Sequence, residues 1–457
     1  MSPWWRSPPA GRLPWRAVDG PPVHANGVFP FDPGRRRFLK RSAAFLAGMT
    51  IPASLARSRP RGKPTILVVS GWQDVNIGDI GHTPGLLRVL DTFIPGARVI
   101  LWKKGGGRQV HEFLRKHFPR VDIIYGNAEP GGEIKERGIT DAFREADLMV
   151  HGSGPSVVGQ AHLEAWAKHT NKPFGIFGTT IQHVDEGLKA LLRKASFIYT
   201  RETASVAVLE KAGLSGPHIS FAPDATFFMD VRDDPKGLRF MEEHGLQDRK
   251  FICVVPRLRI TPYYKFTRNE YTAERIREIE ELNDRCKGPD HAKLREAMIA
   301  WVRETGNKVL ACPEMTYEVD LLDELLVAPL PDDVKPFVVK RGYWLPDEAA
   351  SIYARAHAVL SFECHSPIIA AANGTPCFYL RQPEDTIKGQ MYYDLGFDDW
   401  TFEIERTEGR QVADRLREVW TGYPRALARL AESMGKVRSI YARATAAMEE
   451  LLQPGKA

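Results

Sequence analysis

From Pro64 onward, short runs of β-branched and aliphatic residues alternate with stretches of helical spacing, a pattern that admits little besides parallel βαβ units. The first series of runs is Thr65 to Ser70, Arg98 to Trp102, Val121 to Tyr125, Asp147 to His151, Pro173 to Phe177 and Phe197 to Thr200. Between them Leu86, Leu87, Leu90 and Phe93, and later Ala204, Val208, Leu209 and Ala212, recur at helical intervals. A turn-rich break from Asp230 to Lys250, centred on Asp233-Asp234-Pro235-Lys236-Gly237, reads as a linker. A second series follows: Phe251 to Val255, Lys308 to Ala311, Pro336 to Val339, Ala358 to Ser361 and Pro376 to Leu380. The segment from Tyr271 to Thr305 reads as one or two surface helices broken near Gly288-Pro289, and Tyr423 to Leu452 as a long C-terminal helix. The expected fold class is α/β, with two doubly wound Rossmann-like domains, 57–230 and 231–430, facing across a cleft in the manner of many glycosyltransferases (GT-B-like). Residues 431–457 form the C-terminal helix and tail. A composition of 43% hydrophobic and 10% aromatic residues over 457 positions supplies cores for both domains.

The net charge of +6 points at first to an anionic partner, but its location removes that reading. Residues 1–56 carry Arg6, Arg12, Arg16, Arg35, Arg36, Arg37, Lys40 and Arg41 against Asp19 and Asp32, so the rest of the chain sums to zero. No basic field is left to bind nucleic acid. The first 33 residues lack apolar periodicity and read as disordered. The twin arginines of Arg35-Arg36-Arg37-Phe38-Leu39-Lys40, the apolar run Ser42 to Leu55 and the small residues at its end resemble a twin-arginine export leader. That run has 14 residues, where a membrane span needs about 20, so a cleaved leader is expected rather than a permanent anchor. The expected location is the periplasm or cell envelope, or the cytoplasm if the leader does not function. The five cysteines are far apart, with no CxxC pair, and imply neither a zinc site nor a disulfide framework. No metal or cofactor is called for.

In open parallel sheets, ligands bind beyond the carboxyl ends of the strands, so the loops there are the places to look for chemistry. After the first strand, Asn76 and Gly78 suit a tight turn with exposed amides, and Asp79 has a carboxylate able to act as a base, although an Asp in such a place is more often a helix cap. After the fourth, His151-Gly152-Ser153-Gly154 is a small-residue loop that lets a ligand approach the backbone, or a plain turn. Gly178-Thr179-Thr180 repeats that logic. Arg201, near a helix N-terminus, offers a guanidinium to a carboxylate or phosphate, or to a salt bridge between domains. Asp224 reads as a cap or hinge residue. In the second series Ser361, Glu363 and His365 follow a strand, and Lys388 lies farther on. An imidazole at a helix start beyond a strand's end is well placed to titrate near neutrality.

These pieces, in this order, resemble the polysaccharide pyruvyl transferase family. The resemblance runs from about Thr65 to Thr401 through Asn76, Gly78 and Asp79, then Arg201, Glu202 and Ser205 with Leu209 and Gly213, then Ala222-Pro223-Asp224. Its most specific part is the run from Pro346 through Ser361, His365, Ala370 and Gly374-Thr375-Pro376 to Lys388. It implies transfer of pyruvate from phosphoenolpyruvate, or another anionic donor, onto a glycan hydroxyl as a ketal, with Asp79 as base, His365 as acid, and Arg201 and Lys388 on the phosphate. Asn76, Gly78, Gly152, Ser153, Ser361 and Glu363 complete the implied binding set. The setting would be cell-surface or exopolysaccharide synthesis, with the export machinery as a further partner. Where the family carries Ser-x-Arg-x-His, this chain has Glu363 in the Arg position, and Glu202 replaces an Asp. An exported glycosyltransferase-like or other sugar-modifying enzyme, or a glycan-binding protein without turnover, is therefore the alternative.

Overall fold

The computed structural model describes residues 63–129, 131–266 and 271–453, and the leader expected over residues 1–56 lies outside them. The described residues form one compact unit. Its first sheet contains β1 (Thr65–Ser70), β2 (Arg98–Lys103) and β3 (Asp122–Ile124). After a small hairpin, β4 (Ala128–Glu129) and β5 (Glu133–Ile134), the sheet resumes with β6 (Leu148–His151), β7 (Phe174–Thr179), β8 (Phe197–Thr200) and β9 (Ile219–Phe221). The second sheet contains β10 (Phe251–Val255), β11 (Lys308–Ala311), β12 (Val338–Lys340), β13 (Ala358–Ser361), β14 (Cys377–Arg381) and β15 (Thr401–Glu403).

Both sheets are parallel throughout, in the orders β3-β2-β1-β6-β7-β8-β9 and β12-β11-β10-β13-β14-β15. Each order reverses once, between β1 and β6 in the first and between β10 and β13 in the second. At these reversals neighbouring loops diverge and leave a crevice. Strands β1, β6, β10 and β13 are buried along their whole length, as apolar strands covered on both faces must be. The two halves meet through backbone: Asn76 pairs with Met315, Ile77 N–H donates to Glu314 C=O at 3.0 Å, and Thr316 N–H donates to Val75 C=O at 3.0 Å. The C-terminal helix Tyr423–Leu451 returns to the first half, where the Tyr441 ring lies 5.6 Å from that of Phe177.

Two local expectations change. The expected linker contains a helix, Asp234–Glu243, with Pro235 in its first turn and Asp233 capping Lys236 N–H. The segment expected to break at Gly288-Pro289 is one helix, Ala273–Thr305, continuous through Pro289. There Asp290 is gripped by Arg259 at 2.8 Å and His291 accepts from Arg257 N–H at 3.3 Å, so tertiary bonds override the local breaker. Strands β9 and β15 have three residues each, too few to show periodicity. Among the described residues no helix is long and apolar enough to cross a membrane.

Candidate functional site

The loop after β1 ends in the helix Ile77–Phe93, capped by Asn76, whose side chain accepts from the N–H groups of Gly78 and Asp79. Because Asn76 is the cap, the Asp79 carboxylate is released from that duty. It accepts from Gln73 Nε2 and lies 3.8 Å from His82 Nδ1, one turn farther along the helix. Gly85 on this helix lets it approach the short turn Ala225–Phe228: a Cβ there would lie 2.2 Å from the Ala225 carbonyl oxygen. That close packing brings Asp224 against His82.

His365 opens the helix His365–Ala372 just beyond β13. Its Nε2 lies 3.1 Å from His82 Nε2 and 3.7 Å from Asp224 Oδ2, and its Nδ1 lies 3.2 Å from Glu314 Oε1. Glu314 comes from the loop after β11 and also accepts from Ser366 N–H at 2.6 Å. Burial acts to lower the His365 pKa, but Cys364, Asp224 and Glu314 outweigh it and hold the imidazole well above the ordinary histidine range. Burial likewise opposes ionisation of Asp224 and Glu314. The contacts of Asp224 with His82, His365 and Arg201, and of Glu314 with His365 and Ser366, nonetheless hold both carboxyls below their usual range.

A second group lies beyond β10 and β14. Arg257 Nε is 3.1 Å from Glu363 Oε1, and its Nη1 donates to Asp385 at 2.6 Å and to Gln382 at 3.0 Å. Lys388 Nζ stands 3.6 Å from the same Asp385 oxygen. Glu363 is raised by burial, against the pull of Arg257, with Glu314 adding to the rise. Burial, with Asp79 and Glu363 nearby, pushes the Tyr263 phenol up to about 12; Gln73 and Lys388 pull the other way. Tyr263 thus lies near residues of both groups.

A sequence profile of the polysaccharide pyruvyl transferase family matches residues 108–382, more than half of the chain. The chain belongs to the polysaccharide pyruvyl transferase family. The matched span begins after the Asn76–Asp79 loop and ends before Lys388. No curated protein matches the sequence. Among solved structures, a glycosyltransferase from Rickettsia africae ESF-5 superposes with a TM-score of 0.54 at 13% identity, covering 86% of this chain and 100% of that one. UDP-GlcNAc 2-epimerase from Neisseria meningitidis bound to UDP-GlcNAc gives 0.52 at 12% identity, covering 85% and 99%. Anabaena Alr3699/HepE in complex with UDP-glucose gives 0.52 at 12%, covering 84% and 99%. At these identities the likeness concerns the fold, which is GT-B-like as expected.

Within this pyruvyl transferase family member the predicted residues separate into two sets. Asp79, His365, Glu363 and Lys388 belong to the two polar groups described above. Asn76, Gly78, Gly152, Ser153, Arg201 and Ser361 take part in the capping and packing around them. Ser153 Oγ accepts from Ala225 N–H at 2.9 Å, Ser361 Oγ donates to the Glu363 carbonyl at 2.7 Å, and a Cβ on Gly152 would lie 2.9 Å from Ser70 Oγ. Arg201, expected to hold phosphate, is 1% exposed; it donates to Asp224 at 2.8 Å and to Thr180 at 2.6 Å, so its guanidinium is committed to a buried pair. Asp224 caps Thr226 N–H as expected but also touches both histidines. His82 and Glu314 were not anticipated. The one available signal for His82 was its position three residues after Asp79 on the same helix.

Proposed function

We propose that this chain transfers a pyruvyl group from phosphoenolpyruvate to hydroxyls of a surface or secreted glycan, forming a ketal. The observation that carries the reading is the convergence of Asp79, from the first sheet, and a proton-retaining His365, from the second. In this scheme His365 gives a proton to the enol methylene carbon and leaves an oxocarbenium-like centre at the adjacent carbon. The acceptor hydroxyl bonds to that centre while Asp79 takes its proton. Phosphate then departs with the electrons of its C–O bond, and a second sugar hydroxyl closes the ketal, its proton leaving with the phosphate. Arg257 and Lys388 are the cations facing the donor, in place of the guanidinium that the family motif has at position 363. The leader motif supports action in the cell envelope.

The test is phosphate release from phosphoenolpyruvate in the presence of glycan acceptor. Asp79→Asn, which keeps the side chain's size, is expected to lower the rate by roughly 10² to 10⁴ without loss of fold. A second reading, a glycosyltransferase whose Glu363 accepts from ligand hydroxyls, is favoured by the carboxylate at that position. Stabilisation by a nucleotide sugar and not by phosphoenolpyruvate, read as a rise in melting temperature, would select it.

A further inference from the structure

We propose that His82, Asp224 and His365 form a binding site for one divalent transition-metal ion of the zinc class. The inference concerns the resting protein and does not depend on the donor or on ketal chemistry. Three potential ligand atoms, His82 Nε2, His365 Nε2 and Asp224 Oδ2, form a triangle with edges of 3.1, 3.2 and 3.7 Å. Ligands about 2.0–2.2 Å from a tetrahedral ion lie about 3.3–3.6 Å apart, so one ion fits the centre of this triangle with little movement. All three residues are buried. Two imidazoles and a carboxylate form a donor set suited to zinc, cobalt or iron.

The surroundings match those of a ligand set. Glu314 Oε1 lies 3.2 Å from His365 Nδ1, so a proton there is held by the carboxylate and Nε2 is left with its lone pair toward the triangle, the usual outer-shell arrangement for a metal-bound histidine. Asp79 Oδ1 stands 3.8 Å from His82 Nδ1, a nitrogen with no hydrogen-bond partner among the described residues. Asp224 Oδ1 accepts from Thr226 N–H at 3.0 Å and Oδ2 from Arg201 at 2.8 Å, which fixes the carboxylate and leaves Oδ2 a further lone pair.

Charge points the same way. Asp224 pairs with the Arg201 guanidinium, while Asp79 lies against His82 and Glu314 against His365, so carboxylates crowd the triangle. A divalent ion would give Nε2 of both histidines and Oδ2 of Asp224 a common partner. His82, Asp224 and His365 would hold the ion, which would supply Lewis acidity there; the acid role given to His365 above belongs to the metal-free chain.

The experiment uses the full chain stripped with chelator and then titrated with Co²⁺ alone, followed by absorption and by metal content. Expected are one ion per chain, visible bands of a low-coordinate nitrogen and oxygen site, and displacement by Zn²⁺. His82→Gln is expected to weaken Co²⁺ binding at least 100-fold with an unchanged circular dichroism spectrum. Absence of stoichiometric binding by the wild-type chain overturns the proposal, as does wild-type affinity in His82→Gln. Phosphoenolpyruvate turnover measured separately, with and without ion, separates failure of this site from failure of the pyruvyl-transfer reading.

Discussion

The imidazole of His365 rests on the backbone of Gly78 so closely that a Cβ built on Gly78 would lie 2.2 Å from its Cγ. The two residues come from opposite sheets, and the missing side chain is what lets the Asp79-bearing helix and the His365-bearing helix meet. Alanine is ordinarily the better helix former by about 1 kcal/mol, so Gly78→Ala should stabilise a helix considered alone. Overpacking by one methyl against a ring in a filled site costs about 1–3 kcal/mol. The expected result is a lower melting temperature together with at least a tenfold loss of phosphate release. A variant that melts higher with full activity would show that His365 does not need this seat.

Glu363 and Arg257 stand 3.1 Å apart at the other side of the crevice. Removing the Glu363 charge by Glu363→Gln leaves Arg257 and Lys388 balanced by Asp385 alone. Anion binding is then expected to tighten about tenfold, or about 1.4 kcal/mol, measured by calorimetry with phosphoenolpyruvate or inorganic phosphate. Unchanged affinity would mean that Glu363 does not control the charge seen by the donor.

How much of this was legible in the sequence follows from the range of each interaction. The alternation from Thr65 to Leu380 reports burial within single strands and helices, so it located most strands of both sheets, and the loops at their carboxyl ends followed. Asn76, Asp79, Glu363 and His365 could be singled out because their role begins in a local loop. His82, Asp224 and Glu314 join the site through long-range packing, as with Glu314 reaching Ser366 N–H across 52 positions. Arg201 could be recognised as important and yet be misplaced, since no local signal separates a guanidinium facing solvent from one facing Asp224. The continuity of the helix through Pro289 and the helix Asp234–Glu243 were missed for the opposite reason: breakers were read locally while Arg259 and the Asp233 cap decided the outcome.

The Arg201–Asp224 pair is buried on both sides, each residue no more than 1% exposed. Removing one partner strands a charge in a low-dielectric interior, so Asp224→Asn is expected to destabilise the chain by about 3–5 kcal/mol. Replacing both, as Arg201→Met with Asp224→Leu, is expected to recover much of that loss while abolishing activity. Urea denaturation of the single and double variants measures the coupling. A single variant within about 0.5 kcal/mol of wild type would mean that solvent reaches the pair.

Three buried histidines, His151, His162 and His291, contribute to the response to acid. Burial pushes His151 down to about 3 and His162 and His291 down to about 4. Two of them are fixed in neutral form by backbone: His151 Nε2 accepts from Gly159 N–H at 2.9 Å, and His291 Nε2 accepts from Arg257 N–H while its Nδ1 donates to the Lys287 carbonyl at 2.6 Å. In the unfolded chain each titrates near 6.5. Between about pH 6.5 and 4 the unfolded state therefore binds protons that the folded state refuses, and stability falls as the pH falls through that window. Each histidine contributes about 1.5 kcal/mol of this loss between pH 6.5 and 5. His291→Gln, which keeps a donor and an acceptor, is expected to make the decline shallower by that amount in urea titrations at the two pH values. An unchanged slope would show that His291 accepts a proton without unfolding, and because it holds the Arg257 backbone, anion binding should then become pH-dependent over the same range.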